Sequence, residues 1–298
     1  MEIPRPHSPT LSVVVGSNNA RTTIASCLET LVRQCDAAGS QLIVVDNSED
    51  GTDVLIRERF PQVRLIRSLE RKYIPELWAI GMEQAEGAVV AITTAHCIPA
   101  EDWVAQILQA HASDPAAGIG GAIESDDAAE TTDWAIYFCR YYRFMQPLLP
   151  ASVHDIAGDN ASYKRWALER YRAAWEEGFW EPDVHREILN DGGELRLAPQ
   201  IVVRHKRSFS ASGFLHNRFQ HGRQFGQSKA SRMGTGHRIA EALKSPLVPA
   251  VLLSRVVRTV LAKRRHLKPL ARALPLIALF YTTWAAGEAT GYLTRSQP

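Results

Sequence analysis

Two carboxylates separated by one residue, Glu181 and Asp183, follow the indole of Trp180. A carboxylate placed in this way can take the proton of a hydroxyl group as that group attacks an electrophilic carbon. Partial desolvation by an aromatic ring raises a carboxylate pKa toward neutral pH, which suits a general base. Alternatively, the two acids only stabilise the start of the helix that follows.

A polar segment with one imidazole, residues 93–97, follows the apolar run Val89–Ile92. The β-branched residues of that run predict a buried parallel strand. Pro99 comes next, ahead of a helix expected from Glu101. Ligands of open α/β sheets bind beyond the carboxyl ends of the strands, so we expect this segment and His96 to form the floor of an active site. A loop histidine that only forms hydrogen bonds is the alternative.

A third candidate, Asp46, stands where a strand at 42–45 is predicted to stop. A carboxylate there can accept hydrogen bonds from a base or a ribose. Gly51 and Thr52 predict a tight turn and a helix start, and an ordinary Asx turn with an N-cap is an equal alternative. The glycine-rich loop of dinucleotide-binding proteins is absent.

Strand and helix patterns alternate, which predicts a doubly wound parallel sheet with right-handed crossovers. The expected strands cover 11–15, 42–45, 63–66, 89–92 and 195–203, and the expected helices include 21–37, 74–85 and 166–174. Residues 156–165 are expected to form a polar loop. A basic cluster that contains His205 follows the last strand.

Composition and charge bound the class of protein. An apolar fraction of 45% over 298 residues is typical of a globular chain. Four cysteines without a CxxC pair favour reduced thiols in a cytoplasmic setting, and the polar residues 1–10 show no signal peptide. Residues 1–205 carry a net charge of −12 and residues 206–298 a net charge of +14. This division predicts an anionic surface as partner, or docking of the tail on the acidic body.

The tail, from Pro246, contains two apolar segments. Leu247–Leu261 is interrupted by arginines, as in a basic amphipathic helix at a membrane interface. Ala273–Leu293 is interrupted by Glu288 and is borderline for a membrane span. We expect a membrane-surface hairpin. A helical pair packed on the catalytic domain or at a dimer interface is the alternative.

Three segments, 11–19, 44–52 and 81–87, resemble family 2 glycosyltransferases in type and order. The resemblance covers residues 9–225 and leaves 226–298 as a basic, apolar, helical tail. It implies the α/β GT-A fold, a Rossmann-like mixed sheet flanked by helices, with a C-terminal helical, membrane-associated segment added. It also implies a nucleotide-sugar donor and inversion at the anomeric carbon.

The resemblance assigns a donor site. Asp46 would contact the nucleobase, and basic residues of the segment 214–225 would lie over the diphosphate and stabilise the leaving group. A solvated basic helix face is the alternative for that segment. The residues expected to bind the nucleotide sugar are Ser17, Asn19, Asp46, Asp50, Arg218 and Arg223.

The sequence departs from the family at the metal motif, because segment 94–97 has no carboxylate where the family has Asp-x-Asp. Mg²⁺ prefers oxygen ligands, whereas an imidazole suits Mn²⁺ better. Either His96, paired with His205, holds a divalent metal in a weakened site, or basic side chains handle the diphosphate charge.

The resemblance also assigns the acceptor side. Asn160 and Trp180 are expected to shape the acceptor pocket. Glu181 aligns with the first acid of the family's Glu-Asp motif, Pro182 displaces the second, and Asp183 lies one step on. Asp183 is preferred slightly over Glu181 as the base.

These features predict an inverting glycosyltransferase of hexosyltransferase type at the cytoplasmic face of a membrane, peripheral or anchored through its tail. The acceptor would be a hydroxyl group of a lipid-linked, glycan or small molecule, and a homodimer is expected. The rival is a catalytically degenerate relative that acts as a membrane-bound binding or scaffold subunit. A nucleic-acid partner is not expected, because the basic tail is too apolar and lacks a recognition motif.

Overall fold

The computed structural model describes residues 9–126, 128–206, 210–230 and 233–294. The chain forms two compact units. Residues 1–124 and 144–206 make up the first, called the sheet unit, and residues 125–143 and 207–298 make up the second, called the helical unit. This division differs from the predicted domains 9–225 and 226–298, because residues 125–143 and the whole segment from 207 group with the C-terminal helices.

The strands and helices are numbered in chain order. The strands are β1 (Leu11–Ser17), β2 (Gln41–Asp46), β3 (Arg64–Arg67), β4 (Val89–Thr94), β5 (Cys97–Pro99), β6 (Gly118–Ser125), β7 (Ala151–Val153), β8 (Asn160–Lys164) and β9 (Leu195–His205). The helices are α1 (Ile24–Ala38), α2 (Thr52–Arg59), α3 (Ile74–Glu83), α4 (Trp103–Ser113), α5 (Thr131–Tyr141), α6 (Arg165–Arg170), α7 (Glu181–Asn190), α8 (Ala211–Ala230), α9 (Thr235–Lys244), α10 (Val248–Lys263) and α11 (Leu267–Leu293). Single 3₁₀ turns cover Arg172–Ala174 and Ser245–Leu247.

The described strands form a mixed sheet in the order β3-β2-β1-β4-β8-β6-β9-β5, with β7 paired to β9. Strands β1 to β4 are parallel, as predicted. Strand β8 runs antiparallel to both β4 and β6, so the expectation of a purely parallel sheet was wrong. The mixed sheet implied by the family resemblance is confirmed.

Strand β8 also corrects the prediction of a polar loop at 156–165. Its residues Asn-Ala-Ser-Tyr-Lys have no apolar run, yet the first four are buried between β4 and β6. Polar side chains are tolerated there because neighbouring strands and helices complete their hydrogen bonds. The helix expected at 166–174 is correspondingly shorter, and ends as α6 followed by a 3₁₀ turn.

The core of the sheet unit follows from β-branched residues in the central strands. Val13, Val14 and Val15 of β1 are fully buried, because helices cover both faces of a parallel sheet. Helix α3 packs closely on β1 through Gly81, where an added Cβ would collide with the side chain of Val14. The loop before α3 thereby lies at the carboxyl end of β2, where Asn47 Nδ2 donates to the carbonyl of Lys72 at 2.9 Å.

The helical unit is built around a close crossing of α8 and α11. Each helix contributes two glycines four residues apart, Gly222 and Gly226 in α8 and Gly287 and Gly291 in α11. A Cβ at any of the four would collide with a backbone carbonyl of the facing helix. Small residues at this spacing let two helix backbones approach closely.

Helix α11 is therefore largely packed inside the helical unit. Its Glu288 is buried and accepts a hydrogen bond from Ser245 Oγ at 2.9 Å. Among the described residues, one run, Thr235–Lys263, is long and apolar enough to cross a bilayer. Exposed apolar side chains of the tail lie on α9, α10 and α11, whereas one face of Ala273–Leu293 packs inside the helical unit.

Candidate functional site

The loops after β1 and β2 are joined by hydrogen bonds at the carboxyl ends of their strands. Asn18 Nδ2 donates to Asn47 Oδ1 at 2.6 Å, and the backbone N–H of Asn19 donates to Ser48 Oγ at 2.7 Å. Asn19 has a left-handed backbone conformation with φ of 47°, which Asn tolerates better than most residues. The two loops form one polar surface where ligands of this sheet type bind.

Asp46 organises this surface from beneath. Its side chain is buried, and it accepts hydrogen bonds from Ser48 Oγ and Arg67 Nη1, both at 2.5 Å. Because Arg67 ends β3, the carboxylate ties together the ends of two strands. The structure thus gives Asp46 a positioning role, and its predicted contact with a nucleobase stays a prediction.

Asp50 closes the second loop. Burial would raise its pKa, but hydrogen bonds from Thr52 and from the backbone N–H of Arg21 outweigh burial and lower the pKa below its ordinary value. The hydrogen bonds of the Asp50 carboxylate thus hold the two loops together.

Ser17, the last residue of β1, carries a buried hydroxyl group. Among the described residues Ser17 Oγ has no hydrogen-bond partner. A buried polar group without a partner costs about 1–3 kcal/mol. The predicted contact of Ser17 with the nucleotide sugar stays a prediction.

A carboxylate does stand beside the loop after β4, although the loop itself has none. Thr93 Oγ1 donates to the backbone carbonyl of Asp159 at 2.8 Å, and Thr94 Oγ1 donates to Asp159 Oδ1 at 3.1 Å. Sequence reasoning missed Asp159 in this role. The signal was the antiparallel pairing of β4 with β8, which opposes Thr93 and Asn160 and cannot be read from the two segments separately.

The two histidines proposed as metal ligands have different surroundings. His96 Nδ1 lies 3.3 Å from Thr23 Oγ1. His205 is buried and stands opposite Cys97 in the β5–β9 ladder. Within the described ranges, no three His, Cys, Asp or Glu side chains are close enough to hold a metal ion. Metal binding by His96 and His205 therefore stays a prediction.

Glu181 lies at the start of α7, where Gly158 N donates to its Oε1 at 3.1 Å. Burial is the main cause that raises the pKa of Glu181 to about 7, and the charges of Asp159 and Asp155 add to it against the effect of the backbone N–H groups. A carboxyl group with a pKa near 7 is suited to general base catalysis at neutral pH.

Asp183 has a different environment from Glu181. Its side chain is 53% exposed and forms an ion pair with Arg186 at 2.9 Å. Both acids lie in the first turn of α7, so each also benefits from the helix dipole. The geometry favours Glu181 as the base, the reverse of the slight preference that the sequence gave to Asp183.

The two residues predicted to bind the acceptor are placed very differently. Asn160 is buried, donates to the carbonyls of Ala122 and Ile201, and accepts from Trp103 Nε1. The Asn160 amide is thus fully hydrogen-bonded inside the protein. Any effect of Asn160 on binding of the sugar acceptor would have to act through neighbouring residues. Trp180 is 38% exposed, and its ring centroid lies 6.3 Å from that of Tyr73. Of this pair, Trp180 directly precedes Glu181 in the sequence.

Arg218 and Arg223 lie on helix α8 of the helical unit rather than on a loop, which corrects the predicted conformation. Burial, followed by the charge of Arg140, lowers the pKa of Arg218 to about 10. The Nε atoms of both arginines are buried, and neither has a partner among the described residues. Arg218 is not a fully solvated cation, and the predicted contact of both residues with a diphosphate stays a prediction.

The fold is that of GT-A glycosyltransferases. The chain is similar to a mannosyltransferase from Pyrobaculum calidifontis in complex with GDP-Man and Mn²⁺, with a TM-score of 0.57 and 19% identity over 93% of this chain and 86% of the other. It is similar to S. aureus TarS with UDP-GlcNAc, with a TM-score of 0.53 and 12% identity over 90% and 89% of the two chains. GalNAc-T7 with UDP, GalNAc and Mn²⁺ has a TM-score of 0.52 and 16% identity over 69% and 45%.

The family itself follows from the sequence. The model of glycosyl transferase family 2 matches residues 12–172, which is more than half of the chain. The chain therefore belongs to glycosyl transferase family 2. No curated protein sequence gives a significant match.

Proposed function

We propose that this chain is an inverting hexosyltransferase that moves a sugar from a nucleotide-diphosphate donor to an acceptor hydroxyl. Glu181 carries this proposal. The backbone N–H of Gly158 donates a hydrogen bond to its carboxylate, and burial raises the pKa of that carboxyl group to about 7. The chain that contains it belongs to glycosyl transferase family 2.

The reaction is a single displacement. The acceptor oxygen attacks the anomeric carbon from the face opposite the leaving group, which inverts its configuration. The bond from that carbon to the diphosphate oxygen breaks, and its electron pair stays on the nucleoside diphosphate. Glu181 takes the acceptor proton, so that no free alkoxide or oxonium ion has to form.

The donor is proposed to bind at the carboxyl ends of β1 and β2. Ser17 Oγ is an unpartnered hydroxyl there, and Asn19 and Asp50 shape the surface around it. Asp46 would act from below by holding the loop and Arg67. Arg218 and Arg223 are proposed to stabilise the negative charge of the leaving diphosphate.

A divalent cation, Mn²⁺ or Mg²⁺, is possible for this chain, since two of the similar structures contain Mn²⁺. His96 and His205 are the proposed ligands, and oxygen atoms of the donor diphosphate or of water would complete the coordination. The bound ion would supply positive charge to the diphosphate. Proton transfer to Glu181 does not require it.

The acceptor is proposed to be lipid-linked or membrane-proximal, at the cytoplasmic face. Exposed apolar side chains recur every four residues along α9, the 3₁₀ turn and α10, namely Ile239, Leu243, Leu247 and Val251. This set is called the apolar ridge. The region around it is strongly basic, which favours an anionic membrane surface. A homodimer stays a prediction.

Turnover of donor sugars tests the proposal. Purified protein is incubated with UDP-sugars and GDP-sugars, with and without Mn²⁺, and released nucleotide is measured. Glu181→Gln should lower turnover by about 10²–10⁴-fold while calorimetry shows unchanged nucleotide binding. Asp183→Asn decides between the two acids and should retain most of the activity if Glu181 is the base. Asp191→Asn, at the other end of α7, is the control and should leave turnover unchanged.

The rival function predicts another result. A non-catalytic binding or scaffold subunit would bind a nucleotide sugar without turnover under any metal condition. Absence of binding to every donor would contradict both readings of the donor site.

A further inference from the structure

A chain of three hydrogen-bonded side chains lies beside the proposed base and has no part in the reaction described above. His185 lies one turn after Glu181 in α7 and is buried. Its Nδ1 is 3.0 Å from Asp155 Oδ1, and its Nε2 is 2.8 Å from the hydroxyl oxygen of Tyr163. Both ring nitrogens are thus engaged inside one unit of the fold.

The chemistry of the three groups fixes the direction of the hydrogen bonds. An ionised carboxylate can only accept, so Nδ1 of His185 carries the proton that is donated to Asp155. In a neutral imidazole Nε2 then accepts from the Tyr163 hydroxyl. Burial is the main cause that raises the pKa of Tyr163 well above 10, and the charges of Glu181 and Asp155 add to it. Tyr163 therefore keeps its proton at neutral pH and donates the hydrogen bond to Nε2 of His185.

The chain connects α7 to the two elements that surround Glu181. Asp155 belongs to the segment 154–159, and Tyr163 belongs to β8. The same segment supplies the backbone N–H of Gly158 that donates to Glu181 Oε1. A shift of His185 would therefore move the first turn of α7 relative to Gly158.

The charges around Glu181 come from few groups. Asp155 and Asp159 face it from the segment 154–159, Tyr163 faces it from β8, and His185 follows it in α7. Arg186, the nearest cation in sequence, is paired with Asp183 and Glu187. Ionised Asp155 thus disfavours a second negative charge on Glu181, because like charges repel.

We propose that Asp155, His185 and Tyr163 are positioning residues for the base, and that the negative charge of Asp155, beside that of Asp159, contributes to the pH range in which Glu181 accepts a proton. This inference rests on the proposed function, in which Glu181 is the base. Asp155 also lines an open cleft of about 420 Å³ and its side chain is 37% exposed, so a substitution there is compatible with folding.

Asp155→Asn tests the electrostatic part, because it keeps the acceptor oxygen for His185 and removes the charge. The pH profile of kcat should keep its plateau, and the midpoint of its acidic limb should move down by about 0.5–1 pH unit. Asp191→Asn, an exposed carboxylate at the end of α7, is the matched control and should leave the midpoint in place.

Tyr163→Phe tests positioning. Loss of the hydroxyl leaves Nε2 of His185 without a donor, so kcat should fall about tenfold at every pH with little change in the donor KM. An effect on the donor KM alone, or no change in kcat, would contradict the positioning role of Tyr163.

A second measurement does not depend on turnover. ¹³C NMR of labelled glutamate carboxyl groups, with Glu181 assigned by Glu181→Gln, follows the titration of Glu181 directly. The inference predicts a lower midpoint in Asp155→Asn than in the unmodified protein, and equal midpoints would overturn it. If the protein is active and the titration midpoints of Glu181 are equal, the proposed function holds and this inference is wrong. If the protein is inactive and the midpoints differ, the proposed function is wrong but Asp155 still acts on the pKa of Glu181.

Discussion

Glu181 and Asp183 show how two neighbouring acids acquire different chemistry. The sequence places both at a helix start beside Trp180, and only the family resemblance separates them, with a slight preference for Asp183. The fold then brings Gly158, Asp155 and Asp159 to Glu181 and leaves Asp183 in solvent with Arg186. The sequence shows that a carboxylate is available as the proposed base, but its environment depends on residues more than 20 positions away.

The pH dependence of transfer follows from Glu181. A base must be deprotonated to accept a proton, so kcat should rise with pH and level off above a midpoint near 7, the value to which burial raises the pKa of Glu181. The measurement is kcat at saturating donor from pH 5 to 9. A midpoint below about pH 5, the ordinary carboxylate range, would rule out Glu181 as the base.

Ser17 gives a prediction for donor binding. Ser17→Ala removes a buried hydroxyl without a described partner, so thermal stability should stay level or rise slightly. Nucleotide affinity should fall about 5–10-fold if the hydroxyl bonds to the donor. Calorimetric titration with UDP and GDP measures this.

Ser12, at the other end of β1, is the matched control. Its hydroxyl accepts from Gly87 N and donates to Gln41. Ser12→Ala should therefore cost about 1–3 kcal/mol in the free energy of unfolding and leave nucleotide affinity unchanged. Equal nucleotide affinity in Ser17→Ala and the unmodified protein would remove Ser17 from the donor site.

At the scale of elements, the hydrophobic pattern of the sequence was sufficient to predict strands β1 to β4 but not strand β8. Apolar, β-branched runs identify the parallel strands because those strands are buried on both faces. Strand β8 is buried as well, but its Asn160 and Ser162 satisfy their hydrogen bonds through β6, β9, α4 and its neighbours. Such long-range bonds leave no periodic pattern in the sequence.

The crossing of α8 and α11 gives a prediction at the same scale. A Cβ at Gly222 would collide with the backbone carbonyl of Trp284. Gly222→Ala should therefore lower the free energy of unfolding by about 1–3 kcal/mol. In Gly236→Ala, within α9, nothing lies within reach of the added methyl group, and stability should rise by about 0.5–1 kcal/mol. Chemical denaturation of both variants makes the comparison, and equal stabilities would refute the tight crossing.

At the scale of the whole molecule, acidic and basic residues are divided between the two parts of the sequence. Residues 206–298 have a net charge of +14 and include the apolar ridge on α9 and α10. The sequence predicted the amphipathic segment at Leu247–Leu261. It did not predict Ile239 and Leu243, because the ridge continues through a 3₁₀ turn.

Vesicle binding tests the ridge. The protein should sediment with vesicles that contain phosphatidylserine more than with phosphatidylcholine vesicles, and salt should weaken the binding. Leu243→Asp combined with Leu247→Asp should abolish it, whereas Val54→Asp, an exposed apolar residue on α2, should not. Equal binding of the ridge variant and the unmodified protein would show that the ridge does not contact lipid.

The glycine crossing also determines how the chain can be shortened for biochemical work. The sequence places the end of the catalytic domain near residue 225, and an expression clone that stops there would seem a natural choice. Such a protein would keep most of α8 and lose α11, whose backbone occupies the grooves left by Gly222 and Gly226. The bare helix would expose Phe214, which is buried in the full chain, and would favour precipitation. A protein of all 298 residues is therefore the preparation in which the proposed activity should be measured.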